Sequence, residues 1–234
     1  MRLDKYVSDA MQVSRTDAKK LIVTGKVLVN GQICRKGETQ VQSQDSVSVA
    51  GQEAVQREEF VYIMLNKPLG IVSASTDKRD TTVTDLVKDS FPRRTLFPAG
   101  RLDKTSTGFI LLTDDGTFAH AILSPKRHIE KEYLVTLDTP FTQQMQEGFA
   151  KGVTLVDGTV LAPAQAFATD NPFEARVILT QGVYHQIKRM FGIYNAGVNQ
   201  LHRLRMGGLI LDQNLDAGQW RKLTLQEKDL IAKR

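Results

Sequence analysis

Gly100-Arg101-Leu102-Asp103-Lys104-Thr105-Ser106-Thr107-Gly108, running directly into Phe109-Ile110-Leu111-Leu112-Thr113, is the stretch on which the reading of this 234-residue chain turns. Its second half is a short apolar run closed by Asp114-Asp115-Gly116, the pattern of an apolar strand ended by a turn. Comparable runs occur at 61–65, 133–137, 175–179 and 209–211, separated by Gly and Asp-Gly turns. Helical patterns are fewer: 82–87, 118–123, 142–151, 184–194 and 226–232. Strands that outnumber helices without alternating with them predict an α+β domain over 60–234 with a mostly antiparallel mixed β-sheet. The first half of the stretch sets one carboxylate, Asp103, between two cations, Arg101 and Lys104. Taken alone, Asp103 is either a turn residue capping the following Thr-Ser-Thr amides or a charged nucleophile or base open to an anionic substrate.

Toward the N-terminus the composition changes. Residues 1–36 hold eight basic groups against three acidic ones, whereas 37–59 hold one base, Arg57, against five acids. The polar run 50–59 reads as a linker, which gives domains of 1–55 and 60–234. In the first, Leu3, Val7, Ala10 and Met11 recur at helical spacing, and Ser14 three residues before Asp17 resembles a capping box opening a second helix. Arg15 and Lys19 share one face of that helix, with Lys20 and Lys26 nearby; by pattern alone this is a solvated face or a polyanion-binding one. Val27-Leu28-Val29 and Gln32-Ile33-Cys34 flank Asn30-Gly31, a strong hairpin signal, and Val41 and Val47-Ser48-Val49 suggest further strands.

With 41% hydrophobic and 24% charged residues the composition is that of a globular chain, and no apolar run approaches the roughly 20 residues that cross a bilayer. Met1-Arg2-Leu3-Asp4 opens no signal peptide, and the single Cys34 excludes an internal disulfide; a cytoplasmic protein is expected. Phosphate-loop, dinucleotide-binding, nucleophile-elbow and zinc-protease motifs are absent from the sequence, and Asp114-Asp115 reads as turn chemistry, so neither metal nor cofactor is expected. The net charge of +5 is modest, but 176–211 carries Arg176, Lys188, Arg189, Arg203 and Arg205 with no acid, interleaved with Tyr184, Phe191 and Tyr194. Aromatics among unopposed cations suit RNA.

Arg2-Leu3-Asp4-Lys5-Tyr6, Val13-Ser14-Arg15, Ala18, Leu21-Ile22, Gly25, Val27 and Val29-Asn30-Gly31 together resemble an S4-type RNA-binding domain. That resemblance implies a small S4-like α/β domain in which Arg15 and Lys19, with Arg2, Lys20 and Lys26, meet RNA phosphates. Gly100-Arg101-Leu102-Asp103 with Thr105, Thr107 and Gly108 resembles the catalytic motif of the pseudouridine synthases. Asn66-Lys67-Pro68-Leu69-Gly70, Lys131-Glu132-Tyr133-Leu134-Val135, His185-Gln186-Ile187-Lys188-Arg189-Met190-Phe191 and Leu201-His202-Arg203 follow that family's landmarks, in the form of its RsuA branch.

The resemblance implies a cofactor-free isomerisation of uridine in RNA. Asp103 would start glycosidic cleavage, Tyr133 would stack on uracil, and Lys188 would pair with the aspartate. Leu201 would wall the base pocket, Arg101, Arg189, Asn66 and Lys67 would contact substrate, and Arg203 would contact RNA. The expected partner is ribosomal RNA, small-subunit 16S rRNA in an assembling particle, met by a monomer; 23S rRNA, or RNA binding without catalysis, are the alternatives. One departure is Gly182-Val183-Tyr184-His185, where the family usually has an Arg in place of Val183. Tyr133 heads an alternation with Val135 and Leu137, so a core role is equally open to it, and the four histidines show no ligand spacing.

Overall fold

Helix α1 (Leu3–Met11) forms because Leu3, Tyr6 and Val7 fall on one side of a 3.6-residue repeat, and all three are buried. It ends at Gln12, which takes the left-handed conformation that closes many helices. Helix α2 (Arg15–Val23) opens at Ser14, whose hydroxyl accepts the Asp17 amide at 3.1 Å. Ala18 and Ile22 face inward while Arg15, Lys19 and Lys20 are exposed. Strands β1 (Val27–Val29) and β2 (Gln32–Ile33) form the expected hairpin, with Asn30 and Gly31 both at positive φ as a type I′ turn requires. Strands β3 (Val47–Val49) and β4 (Gln52–Glu53) extend the sheet to the order β2-β1-β3-β4. Val41 is buried in this core without belonging to a strand.

This geometry comes from a computed structural model that describes residues 1–42, 44–54 and 60–233. The chain divides into two units, Met1–Glu59 and Phe60–Arg234. The latter part of the expected linker, 55–59, lies outside the described residues.

The second unit is built on a sheet that contains β5 (Tyr62–Lys67), β6 (Phe97–Pro98), β7 (Thr107–Thr113), β8 (Lys131–Leu137), β11 (Gln165–Ala168), β12 (Glu174–Leu179), β13 (Val198–Met206), β14 (Leu209–Ile210) and β15 (Trp220–Lys222), while β9 (Val153–Thr154) and β10 (Val160–Leu161) make a separate hairpin. The main order is β11-β12-β8-β13-β7-β5-β15, and every pairing is antiparallel except β13 with β7. The continuous apolar run in β7 has a simple cause: Ile110 and Leu112 enter one core while Phe109 and Leu111 enter another. Helices α4 (Gln143–Lys151) and α5 (Gln186–Gly192) cover the first face through Phe149, Met190 and Phe191. Helices α3 (Gly116–Leu123) and α6 (Leu225–Ile231) cover the second through Ala119, Ile122 and Ile231.

Two expectations change. Residues 82–87 are a series of turns, not a helix, because their side chains take the backbone's bonds: Asp85 accepts the Thr82 amide at 2.9 Å, and Thr84 donates to the Ser75 carbonyl at 2.8 Å. The helix expected over 184–194 starts later, at Gln186, since His185 stands at φ 51°. Among the described residues no helix is long and apolar enough to cross a membrane.

Candidate active site

The segment between β6 and β7 carries Arg101 and Asp103, and neighbouring side chains and backbone fix it in place. Ser73 donates its hydroxyl to the Leu102 carbonyl at 2.7 Å and accepts the Leu102 amide at 3.0 Å. Gly70 donates to the Lys104 carbonyl at 2.9 Å, and the Ser106 amide closes a turn onto the Asp103 carbonyl at 3.0 Å. From β5, the Lys67 ammonium donates to the Ser106 carbonyl at 2.7 Å and to its neighbour Pro68 at 3.1 Å. A loop held by this many bonds presents its side chain in one place, as chemistry at a carboxylate needs.

Asp103 opens onto a cavity of about 410 Å³ whose walls include Arg101, Tyr133, His185, Lys188 and Leu201. The Lys188 ammonium lies 3.8 Å from the Asp103 carboxylate and is held by donation to the Thr105 hydroxyl at 2.8 Å. His185 Nε2 lies 3.4 Å from the same carboxylate oxygen. Tyr133 is buried on β8 and lines the cavity, so the core position and the pocket position that its alternation left open are one place. Leu201 comes from β13, directly opposite Val135.

The other expected contacts are distributed differently. Lys67 is fully buried and bonded to backbone, so it supports the loop from beneath and does not face substrate. Its interior position pushes its pKa down to about 8, with Asp103 opposing and Arg203 reinforcing that shift. Asn66 donates to the Leu215 carbonyl at 2.8 Å, and Arg189 pairs with Asp157; neither lines the cavity. Arg203 corrects an expectation outright: it is 1% exposed, and its Nε donates to the Phe109 carbonyl at 2.6 Å, so it has no surface to offer a phosphate. In the N-terminal unit Arg15, Lys19, Lys20 and Lys26 are exposed, with Lys20 3.3 Å from Asp17, while Arg2 pairs with Asp4 at 2.8 Å.

Sequence reasoning quotes Tyr184 and His185-Gln186 within a basic, aromatic stretch but gives His185 no place beside Asp103. His185 is one of four histidines without ligand spacing, yet the fold brings it to Asp103 across 82 residues of chain. Its adjacency to the Lys188 motif is the available signal. Among the described residues no group of three or more His, Cys, Asp or Glu could hold a metal ion. Asp114 accepts the Val61 amide at 2.8 Å and pairs with Arg94, whereas Asp115 accepts the Tyr62 hydroxyl at 2.6 Å and caps α3 at the Phe118 amide.

Residues 61–192 match the family model described as RNA pseudouridylate synthase, and residues 1–47 match the S4 domain. The chain belongs to the RNA pseudouridylate synthases. This synthase is 39% identical to ribosomal small subunit pseudouridine synthase A of Escherichia coli strain K12, over 97% of this chain and 98% of that one. The protein of the same name from Haemophilus influenzae is 36% identical with both chains covered in full. An uncharacterized RNA pseudouridine synthase of Aquifex aeolicus is 39% identical over 97% of this chain and 94% of its own. A crystal structure of a pseudouridylate synthase, 35% identical, superposes with a TM-score of 0.70 and covers 99% of both chains. The synthase therefore isomerises uridine in RNA, with an S4 domain ahead of a catalytic α+β domain.

Proposed function

We propose that this synthase acts on small-subunit (16S) ribosomal RNA within an assembling particle in the cytoplasm, and that Asp103 starts the reaction. The supporting observation is the carboxylate of Asp103 fixed at the wall of a one-nucleotide cavity, with Lys188 at 3.8 Å and Tyr133 and Leu201 as apolar walls. The likeness to small-subunit synthases over nearly the whole chain supports the substrate. A target uridine leaves its stack to enter such a cavity, and the ring of Tyr133 offers it a new one.

In the reaction the bond from uracil N1 to ribose C1′ breaks, the uracil turns within the cavity, and C5 bonds to the same C1′. The C5 proton is lost and N1 gains one, so the product is an isomer with no redox step. Asp103 supplies the electron pair, as nucleophile or base, that initiates cleavage. Lys188 holds the carboxylate in register, and Tyr133 and Leu201 give the freed uracil apolar surface against which to turn.

Tritium release from C5-labelled uridine, assayed on 16S rRNA, 23S rRNA and small-subunit precursor particles, tests both parts. Release from the 16S substrates alone, abolished by Asp103→Asn, is the expected result. Release from 23S rRNA alone would move the substrate to the large subunit, and full turnover by Asp103→Asn would overturn the role of the carboxylate. RNA binding with no release from any substrate would favour a non-catalytic RNA-binding protein.

A further inference from the structure

The corner between β12 and α5 is built as a rigid step. The Val183 amide donates to the Gln186 side chain at 3.1 Å while the Gln186 amide donates back to the Val183 carbonyl at 3.1 Å. Gln186 itself is buried, so the clamp is anchored in the core. Between the two clamped residues the chain turns through His185 at φ 51°, a left-handed conformation in which histidine is more common than most side chains. The effect is to lay the Tyr184 ring on the His185 ring, with centroids 3.8 Å apart and planes within 17° of parallel. His185 reaches Asp103 at 3.4 Å, whereas Tyr184 is 74% exposed at the cavity rim.

From this geometry we infer a second base-binding site: Tyr184, backed by His185, stacks with the nucleobase that neighbours the target uridine in the RNA. The inference rests on the proposed uridine chemistry at Asp103. A cavity of about 410 Å³ takes one nucleotide, so the RNA chain must leave over its rim. When the target base turns out of its stack, its neighbour loses a partner and presents a bare π-face at that point. A flat, preset aromatic ring meets any such base, because every base has a face to stack. Burial in the core does not account for the arrangement, since Tyr184 is 74% exposed and its ring contact is the stack on His185.

The test compares Tyr184→Ala, Tyr184→Phe and wild type in steady-state tritium release from 16S rRNA. Base-aromatic stacking is lost on truncation at a cost equivalent to about 5- to 150-fold in affinity. Tyr184→Ala is therefore expected to raise KM by that factor with kcat within about threefold of wild type, and Tyr184→Phe to match wild type. An unchanged KM in Tyr184→Ala, a Tyr184→Phe as impaired as Tyr184→Ala, or a loss confined to kcat would each overturn the inference. A Tyr184→Trp variant supplies a second readout: titrated with 16S rRNA against the wild-type Trp220 background, stacking quenches the added indole, and no quenching at saturation counts against it. If the wild type releases no tritium from any rRNA while Tyr184→Trp is still quenched, the catalytic reading fails and the stacking site stands.

Discussion

Gly108 lies against the backbone of Arg203 so closely that a Cβ at 108 would sit 2.4 Å from the Arg203 carbonyl oxygen and 2.6 Å from its nitrogen. This is where β7 and β13 make the sheet's parallel pairing, and it joins the strand after Asp103 to the strand carrying Leu201. Gly108 also stands at φ +97°, which side chains rarely adopt. Gly108→Ala meets both strain and a backbone clash, so a loss of roughly 3 kcal/mol or more is expected in urea denaturation. Gly116→Ala, where nothing lies within 4 Å of the added Cβ, serves as the control and should change stability by less than about 1 kcal/mol.

Lys67 gives a pH signature. Its folded pKa of about 8 lies below the unfolded value of 10.5, so between those values the unfolded chain binds more protons than the native one. The charged amine in the interior is thus a cost that is complete below about pH 8 and is relieved as pH rises toward 10.5. Wild type should gain stability relative to Lys67→Met across that window, by an amount on the order of a few kcal/mol at most. Urea midpoints of both proteins from pH 7 to 10.5 check it, and parallel curves would refute it. Because Asp103 favours the charged amine, the gain should begin at lower pH in an Asp103→Asn background.

These two positions also mark what sequence alone can and cannot reveal. The helices α1 and α2, the Asn30-Gly31 hairpin and strand β7 are legible because caps, turn residues and apolar period are local. The nine residues of β13 do not read as a strand, since Arg203 and Arg205 within it look like RNA contacts. In the fold Arg203 is buried against Phe109, and Arg205 pairs with Glu132 at 2.8 Å and Glu130 at 3.0 Å, so these cations serve the sheet. Motif order brings Asp103, Tyr133 and Lys188 into view, but His185 reaches Asp103 only through tertiary packing and a backbone φ that no pattern announces.

Lys188 should act on the chemical step. It holds its position by the bond to Thr105 and stands 3.8 Å from Asp103, so its removal leaves RNA contacts elsewhere intact. Lys188→Met is expected to lower the single-turnover rate of tritium release by roughly 100-fold or more while KM changes far less, and Lys188→Arg to recover part of that rate. A KM effect without a rate effect would make Lys188 a phosphate contact.

Arg15 and Lys19 provide the converse case, in which affinity and not rate should change. Both project from the exposed face of α2, and each phosphate they neutralise releases counterions when RNA binds. Replacing both with Gln should reduce the slope of log affinity against log salt by about 0.7 to 0.9 for each phosphate left unneutralised, so by about 1.4 to 1.8 for two phosphates, with kcat preserved. Lys20→Gln should do less, because Lys20 is already drawn toward Asp17 at 3.3 Å. Arg203→Gln should leave the slope untouched, since the guanidinium is buried, and should instead lower stability by about 1 kcal/mol or more because the Phe109 carbonyl then has no donor from that side chain. Filter binding between about 50 and 300 mM potassium chloride separates the three, and equal slopes for wild type and the Arg15/Lys19 double variant would remove α2 from the RNA interface.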